Sequence, residues 1–312
     1  MRKFLINVVL FVVPLLVLVV GIEVYLGNYP SGFQCKAQYL NQHLDKIEIL
    51  AVGSSHSQDG INPEFFSKHN AANVSFSGQD LRLDQKLLEL QVPRLPNLKY
   101  VLLELGYHSL DIMHRGDYDK NTLYLRFYGI NNFDRRAKLG DYSIFLSSPQ
   151  FYLGFLNPNH KRLEINEYGF ETGLSDDPNH NRFKDMEYNE ATIDKDRENI
   201  LIQRHRERYP EAEKENLVIF EQMVDYCVAH KLQPIINIPP VYQTYYEEMV
   251  PDKKKTRDDL IQKLRKKYPQ LIVFDYEHIP DFKVTDFYNE DHLNPIGAKK
   301  FSLMLDEAIQ KL

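Results

Sequence analysis

Four short apolar runs constrain this chain more than any other feature: Ile47 to Val52, Lys99 to Leu105, Pro234 to Ile238 and Leu271 to Phe274. Longer amphipathic stretches lie between and after them, at Leu81 to Leu90, Leu217 to His230, Lys254 to Lys267 and Pro295 to Leu312. Runs that are apolar throughout suit strands covered on both faces, and parallel strands need a crossover segment between them. The pattern predicts an α/β domain in three layers, with a parallel sheet in the middle. The interval from about 110 to 208 breaks the rhythm. It is rich in Tyr, Phe, Asn and Asp, with turn signals at Asn157-Pro158, Tyr168-Gly169 and Asp177-Pro178. Structureless loops of that length are uncommon inside a compact domain. The interval therefore reads as an insertion with short elements of its own, near the strand ends, where it could cover a substrate.

The N-terminus belongs to a different class of sequence. Phe4 to Tyr25 is almost entirely Leu, Val, Ile and Phe, interrupted by Asn7, Pro14, Gly21 and Glu23. A span of about 20 apolar residues is what a bilayer helix needs. The basic Met1-Arg2-Lys3 before it, with no basic residue directly after it, places the N-terminus in the cytoplasm and residues 28–312 outside. A cleaved signal peptide would have a shorter apolar core ending in a small-x-small site, and Glu23-Val24-Tyr25-Leu26 offers none. Residues 1–27 are expected to remain as a single transmembrane anchor. The residues before Cys35, Ser31-Gly32-Phe33-Gln34, do not form a lipidation site. A net charge of −6 without a clustered basic face argues against nucleic acid as a partner. The two cysteines form no CxxC pair. Cys227 shares a helical stripe with Phe220 and Val224 and reads as a buried thiol. A Cys35 to Cys227 bridge has only an oxidising compartment in its favour.

Chemistry could reside in four segments. Ala51-Val52-Gly53-Ser54-Ser55-His56-Ser57 runs a strand into a Gly-Ser-Ser turn, and a Ser just past a strand's carboxyl end stands where α/β sheets bind ligands. Asp286-Phe287-Tyr288-Asn289-Glu290-Asp291-His292-Leu293-Asn294-Pro295 puts a His among carboxylates before the last helix, the company a general base keeps. Asn73-Val74-Ser75-Phe76-Ser77-Gly78-Gln79 and Val101-Leu102-Leu103-Glu104-Leu105-Gly106-Tyr107-His108 each carry a Gly after a short run. Taken singly, Gly-Ser-Ser turns are common, a lone His before a helix is more often a cap, and the last two segments read as ordinary loops after strands.

Their order is more specific than any of them. Gly-x-Ser after the first strand, a Gly after the second, a strand ending in Gly-x and a late His before the last helix resemble the SGNH (GDSL-type) hydrolase superfamily, over residues 46–110 and 215–312. The string Asp291-His292-Leu293-Asn294-Pro295-Ile296-Gly297-Ala298, with Phe301, resembles the membrane-anchored branch that includes the D-alanyl lipoteichoic acid transfer protein and alginate O-acetylation proteins. The resemblance implies a flavodoxin-like three-layer fold, Ser55 as nucleophile and His292 as general base and acid. It also implies an oxyanion hole from the Ser55 and Gly78 amides and an acyl-Ser55 intermediate, with no metal or organic cofactor. Two positions depart from the pattern. His108 stands where the family has Asn, as a ring N–H donor to the oxyanion or as a lost contribution. Asn289 stands where the orienting acid belongs, flanked by Asp286 and Asp291. Of these two, Asp286 is the expected substitute, because a side chain directly before His292 needs an unusual loop to fold back onto its ring.

The function this implies is a membrane-anchored extracytoplasmic serine acyl-ester hydrolase or O-acyltransferase acting on acylated cell-envelope glycans. The alternative is a weak or inactive SGNH-like domain that serves as binding or assembly partner of a membrane-embedded acyltransferase.

Overall fold

The structure, a computed structural model, describes residues 1–147, 164–196, 203 and 205–312. After a long N-terminal helix, α1 (Arg2–Asn28), and a second helix, α2 (Gly32–Gln42), the chain alternates β1 (Ile47–Val52), α3 (Ser55–Gly60), β2 (Asn70–Asn73), α4 (Leu81–Gln91) and β3 (Tyr100–Glu104). It resumes with α5 (Pro210–Ala229), β4 (Gln233–Ile238), α6 (Pro251–Lys267), β5 (Ile272–Asp275) and α7 (Pro295–Ile309). All the strands are parallel in one five-stranded sheet of order β2-β1-β3-β4-β5, in a register that aligns Ala51 with Leu102 and Leu102 with Ile235.

Period-two alternation along the strands feeds two cores. Leu50, Val52, Val101, Leu103, Ile236 and Ile238 face one side and pack with Leu87 of α4, Phe220 of α5 and Leu260 of α6. Ile49, Ala51, Leu102 and Ile235 face the other and pack with Phe301 and Leu305 of α7. The three-layer α/β architecture is the one the apolar runs predict. The strand order has the flavodoxin-like switch between β1 and β3, the crevice where open α/β sheets place ligands.

Two elements escape the sequence reading. In α2 the apolar stripe of Phe33, Ala37 and Leu40 is interrupted by Lys36, which is itself buried. β2 is Asn-Ala-Ala-Asn, poor in strand formers, and exists through its ladder with β1. Among the described residues, the insertion adds no strand to the sheet; it holds short helices such as Asn121–Leu123, Ile144–Ser147 and Arg182–Asp185, with a bridge between Ile165 and Glu171. Gly169 takes φ 80° at the Tyr168-Gly169 turn, and the Asp177 side chain closes its own turn by accepting from Asn179 N at 2.9 Å. Asn157-Pro158 lies outside the described residues. Cys35 and Cys227 are both free, without a bridge.

α1 is long and apolar enough to cross a membrane, and Phe4, Leu10, Phe11 and Val17 on it are exposed. Glu23, the acid that interrupts its apolar run, is not a defect. Its carboxylate accepts from Arg126 Nη1 at 2.6 Å, Ser143 Oγ at 2.7 Å, Ile144 N at 3.0 Å and Phe145 N at 3.1 Å. It thereby caps the short helix Ile144–Ser147 and ties α1 to the insertion.

Candidate active site

Ser55 is the first residue of α3, directly beyond β1. The turn that presents it depends on Gly53, where a Cβ would come within 2.5 Å of Glu104 Cβ; only glycine lets β1 and β3 end this close together. Glu104, buried at the end of β3, then organises the loop. It accepts from Ser54 Oγ at 2.5 Å, Ser54 N at 3.1 Å and Ser57 N at 2.8 Å. A carboxylate on first-turn amides caps the helix as well as holding the turn. Among the described residues no acceptor takes the Ser55 N–H.

The histidine comes from a tight turn before α7. Phe287 and Leu293 pair across it, and Tyr288 N donates to His292 O at 2.9 Å. Inside the turn Asn289 Oδ1 accepts from Asp291 N at 3.2 Å, His292 N at 3.0 Å and the ring at Nδ1, also 3.0 Å. This curl folds the Asp291 carboxylate back, so that Oδ1 lies 2.7 Å from His292 Nδ1. The unusual loop that would bring Asp291 to the ring is therefore the loop the chain makes. Asp286, the expected orienting acid, is engaged elsewhere, accepting from Lys283 N at 2.8 Å and pairing with Lys300 Nζ at 2.5 Å. That expectation is corrected. His292 Nδ1 thus faces two oxygens, Asn289 Oδ1 at 3.0 Å and the nearer Asp291 Oδ1, which brings the charge. On the far side of the ring, Nε2 is 2.8 Å from Ser55 Oγ.

Burial opposes a charged imidazole, but the Asp291 carboxylate beside it prevails, and His292 is pushed up to about 9. Asp291 itself is held well below the usual carboxylate range; burial works against its charge, and the His292 and His56 rings overcome that. Its Oδ2 is 3.3 Å from His56 Nε2 and 3.5 Å from His205 Nδ1. Burial draws His205 down to about 4. One carboxylate thus faces imidazoles on three sides. Among the described residues, His56, Asp291 and His292 are the group whose ligand atoms, within 4.8 Å of one another, could hold a metal ion.

Of the two expectations for His108, the geometry favours the lost contribution. Burial, with neighbouring imidazoles, holds it well below its ordinary value and hence neutral. Ser54 Oγ gives its proton to Glu104, so the 2.9 Å contact between Ser54 Oγ and His108 Nε2 requires the ring to donate. A neutral ring has one N–H, and it is spent on Ser54. His108 therefore has no proton for an oxyanion, and its Nδ1 is buried without a partner among the described residues. The amides left for that task are those of Ser55 and Gly78. Gly78 has φ 75°, and a Cβ there would lie 2.7 Å from Tyr118 Oη. Both residues line one cleft of about 730 Å³, together with His108, Arg115, His205 and His292. Sequence reasoning passed over Glu104, His56 and His205. A charged residue ending an otherwise apolar strand was a signal for Glu104, and adjacency to Ser55 one for His56. His205 sits in the irregular insertion and carried no local signal.

No family model and no curated protein matches the chain. Among solved structures it is similar to a proposed acylhydrolase from Bacteroides fragilis, at 9% identity and TM-score 0.44 over 88% of this chain and 95% of that one. A lipase/acylhydrolase from Enterococcus faecalis follows, at 11% identity and TM-score 0.38 over 85% and 96%. A GDSL-like lipase from Bacteroides thetaiotaomicron has 10% identity and TM-score 0.37 over 88% and 98%. No residue role follows from likenesses this remote; the arrangement of Ser55, His292, Asn289 and Asp291 stands on its own geometry.

Proposed function

We propose that the protein is a membrane-anchored serine acyl-ester hydrolase or O-acyltransferase of the SGNH type, working outside the membrane on acylated cell-envelope glycans. The observation that carries the reading is His292 Nε2 at 2.8 Å from Ser55 Oγ, with Asn289 and Asp291 on the opposite nitrogen. Ser55 Oγ attacks the acyl carbon while His292 takes its proton, and the Ser55 and Gly78 amides receive the negative charge of the tetrahedral intermediate. His292 then protonates the departing alkoxide, leaving acyl-Ser55. Water or a sugar hydroxyl releases the acyl group by the reverse sequence. The reading as an inactive partner of a membrane-embedded acyltransferase drew on Asn289 in the acid's place. With Asp291 supplying the charge, that ground is weaker.

The test is active-site labelling of the full chain with a fluorophosphonate. Ser55 is expected to carry the adduct, Ser55→Ala to abolish it, and Ser54→Ala to keep it. Labelling that persists in Ser55→Ala removes the nucleophile, and no labelling of the parent favours the binding-partner reading.

A further inference from the structure

Beside the cleft lies a second cavity of about 210 Å³, on the side of α1. At one end are Leu26 and Tyr29, where α1 meets the domain, and Ile144, in the short helix that Glu23 caps. At the other are Gln58 and Asp59 of α3, which begins at Ser55, and Pro295, just after His292. Phe33, Leu123 and Phe127 line the wall as well. The cavity therefore runs from the membrane helix to the back of the reacting groups. It shares Lys120 with the cleft, and Gln58 on its wall accepts, through Oε1, from the N–H of Ser77 on the cleft's wall at 2.7 Å.

The wall is not apolar throughout: Asp59, Lys120, Glu171 and Lys36 line it as well. Lys36 is 3% exposed, donates to Ser75 O at 2.8 Å and lies 4.9 Å from the Phe76 ring. Among the described residues no carboxylate pairs with it. Burial pulls it down to about 7, partly offset by Asp59, and it keeps donors in hand for a polar ligand atom. Lys120 Nζ, which donates to Ser77 O at 3.0 Å, is a second ammonium on the same wall. An apolar end at α1, formed by Leu26, Phe127 and Ile144, and a polar end where the amines of Lys36 and Lys120 stand with Asp59 match an amphiphile, tail outward and ester head inward.

We propose that this cavity binds the hydrocarbon chain of an acyl ester carried by a membrane amphiphile, and so delivers the acyl group to Ser55 from the bilayer side while the polar acceptor occupies the larger cleft. The proposal rests on Ser55 being the nucleophile. In the first step Ser55 Oγ bonds to the acyl carbon, the bond from that carbon to the amphiphile's alcohol oxygen breaks, and the Oγ proton passes through His292 Nε2 to the departing alkoxide. The second step hands the acyl group to a hydroxyl in the cleft, whose proton returns to Ser55 by the same nitrogen.

Two measurements on the full chain in phosphatidylethanolamine/phosphatidylglycerol nanodiscs test this. A phosphatidylglycerol with a diazirine on its acyl chain should crosslink to Leu123, Phe127 or Ile144, and Ile144→Trp should suppress those adducts. Nitrophenyl octanoate should be preferred to the acetate by at least about tenfold in kcat/KM, since each buried methylene is worth about fourfold. Ile144→Trp should erase that preference and leave the acetate within about twofold of the parent. Phe127→Ala, which enlarges the cavity, should move the preference to longer chains. Adducts confined to the exposed face of α1, or a filled cavity that slows both esters alike, would overturn the proposal. Hydrolysis of neither ester, with adducts still in the cavity, would instead refute the role of Ser55 and keep the chain-binding site.

Discussion

Replacing Asp291 by Asn separates the two things a triad carboxylate does. Oδ1 stands 2.7 Å from His292 Nδ1, and the ring is raised from 6.5 to about 9, a stabilisation of the imidazolium by about 3 kcal/mol. Only the neutral ring can accept the Ser55 proton, so at pH 7 about one molecule in a hundred is ready to react. The parent's kcat/KM should climb about tenfold per pH unit toward a plateau above about 9. Without the charge, burial is opposed only by the smaller contributions of Asp59 and Glu104, and the ring falls back toward its ordinary value of about 6.5. Base availability at pH 7 then rises nearly a hundredfold, roughly. The same charge stabilises the imidazolium that forms in the transition state, so its loss slows the plateau by about tenfold to a hundredfold, according to how far the proton has moved. Asn289 still holds Nδ1–H, so the loss stays well short of the roughly 10⁴ seen when a protease's triad Asp becomes Asn and the tautomer is lost. The expected result for nitrophenyl acetate is two crossing profiles: Asp291→Asn equal to or faster than the parent at pH 7, and much slower at pH 10. Uniform slowing at every pH, or a parent acid limb centred below pH 7, would refute the reasoning.

Glu104→Gln removes the charge from the acceptor of Ser54 N, Ser57 N and Ser54 Oγ; it should lower stability by about 1–3 kcal/mol in urea melts and slow fluorophosphonate labelling of Ser55. The Asp291–His292 pair gives stability its own pH window. Asp291, depressed in the folded state, contributes above its ordinary ~3.9 and loses that contribution as pH falls through its folded value, whereas His292, raised to about 9, contributes fully below its ordinary ~6.5 and loses it as pH rises through 9. Tm should therefore peak between about pH 4 and 6.5 with respect to this pair, and Asp291→Asn should flatten that peak. Gly78→Ala puts a Cβ against Tyr118 Oη at a backbone φ of 75°. It should lower kcat with little change in KM, by up to about 10²-fold if the amide is displaced from the oxyanion, and equal loss in KM would contradict that role.

Four strands of the sheet were legible because they are packed on both faces and read as apolar runs, and the long helices that cover it because amphipathic stretches mark them. Ser55 and His292 were legible for a related reason: each adjoins the end of a well-marked element, β1 and α7. Roles that depend on a turn were not. Asp286, Asn289 and Asp291 lie within six positions of one another, and their spacing along the chain does not reveal which side chain meets a ring. That is decided by Asn289 Oδ1 accepting the Asp291 and His292 amides. His205 is harder still, since it reaches Asp291 only through the tertiary placement of an insertion without periodicity.

The same turn explains how Asn at the acid's position is compatible with a working base. A single Asp three residues before the His would have to accept from Nδ1 and supply the charge with one side chain. Here the tasks are divided: Asn289 fixes the ring's direction through three accepted N–H groups, and Asp291 supplies the charge from the adjoining position. Asp291 is buried, and its second oxygen faces His56 and His205. His205, drawn down to about 4, stays neutral across the working range. A neutral ring there does not compete for the Asp291 charge, and His205 Nδ1 is itself engaged with Tyr245 Oη at 2.7 Å. A second carboxylate at position 289 would add negative charge beside the first and push His292 higher still, leaving fewer molecules with a free base near neutrality. By this argument Asn289 is the residue that keeps the base within reach of physiological pH, and Asn289→Asp should move the acid limb of kcat/KM further alkaline and reduce turnover at pH 7. An unchanged limb would show that charge at position 289 does not reach the ring and that Asn289 has no part in setting its affinity for its proton.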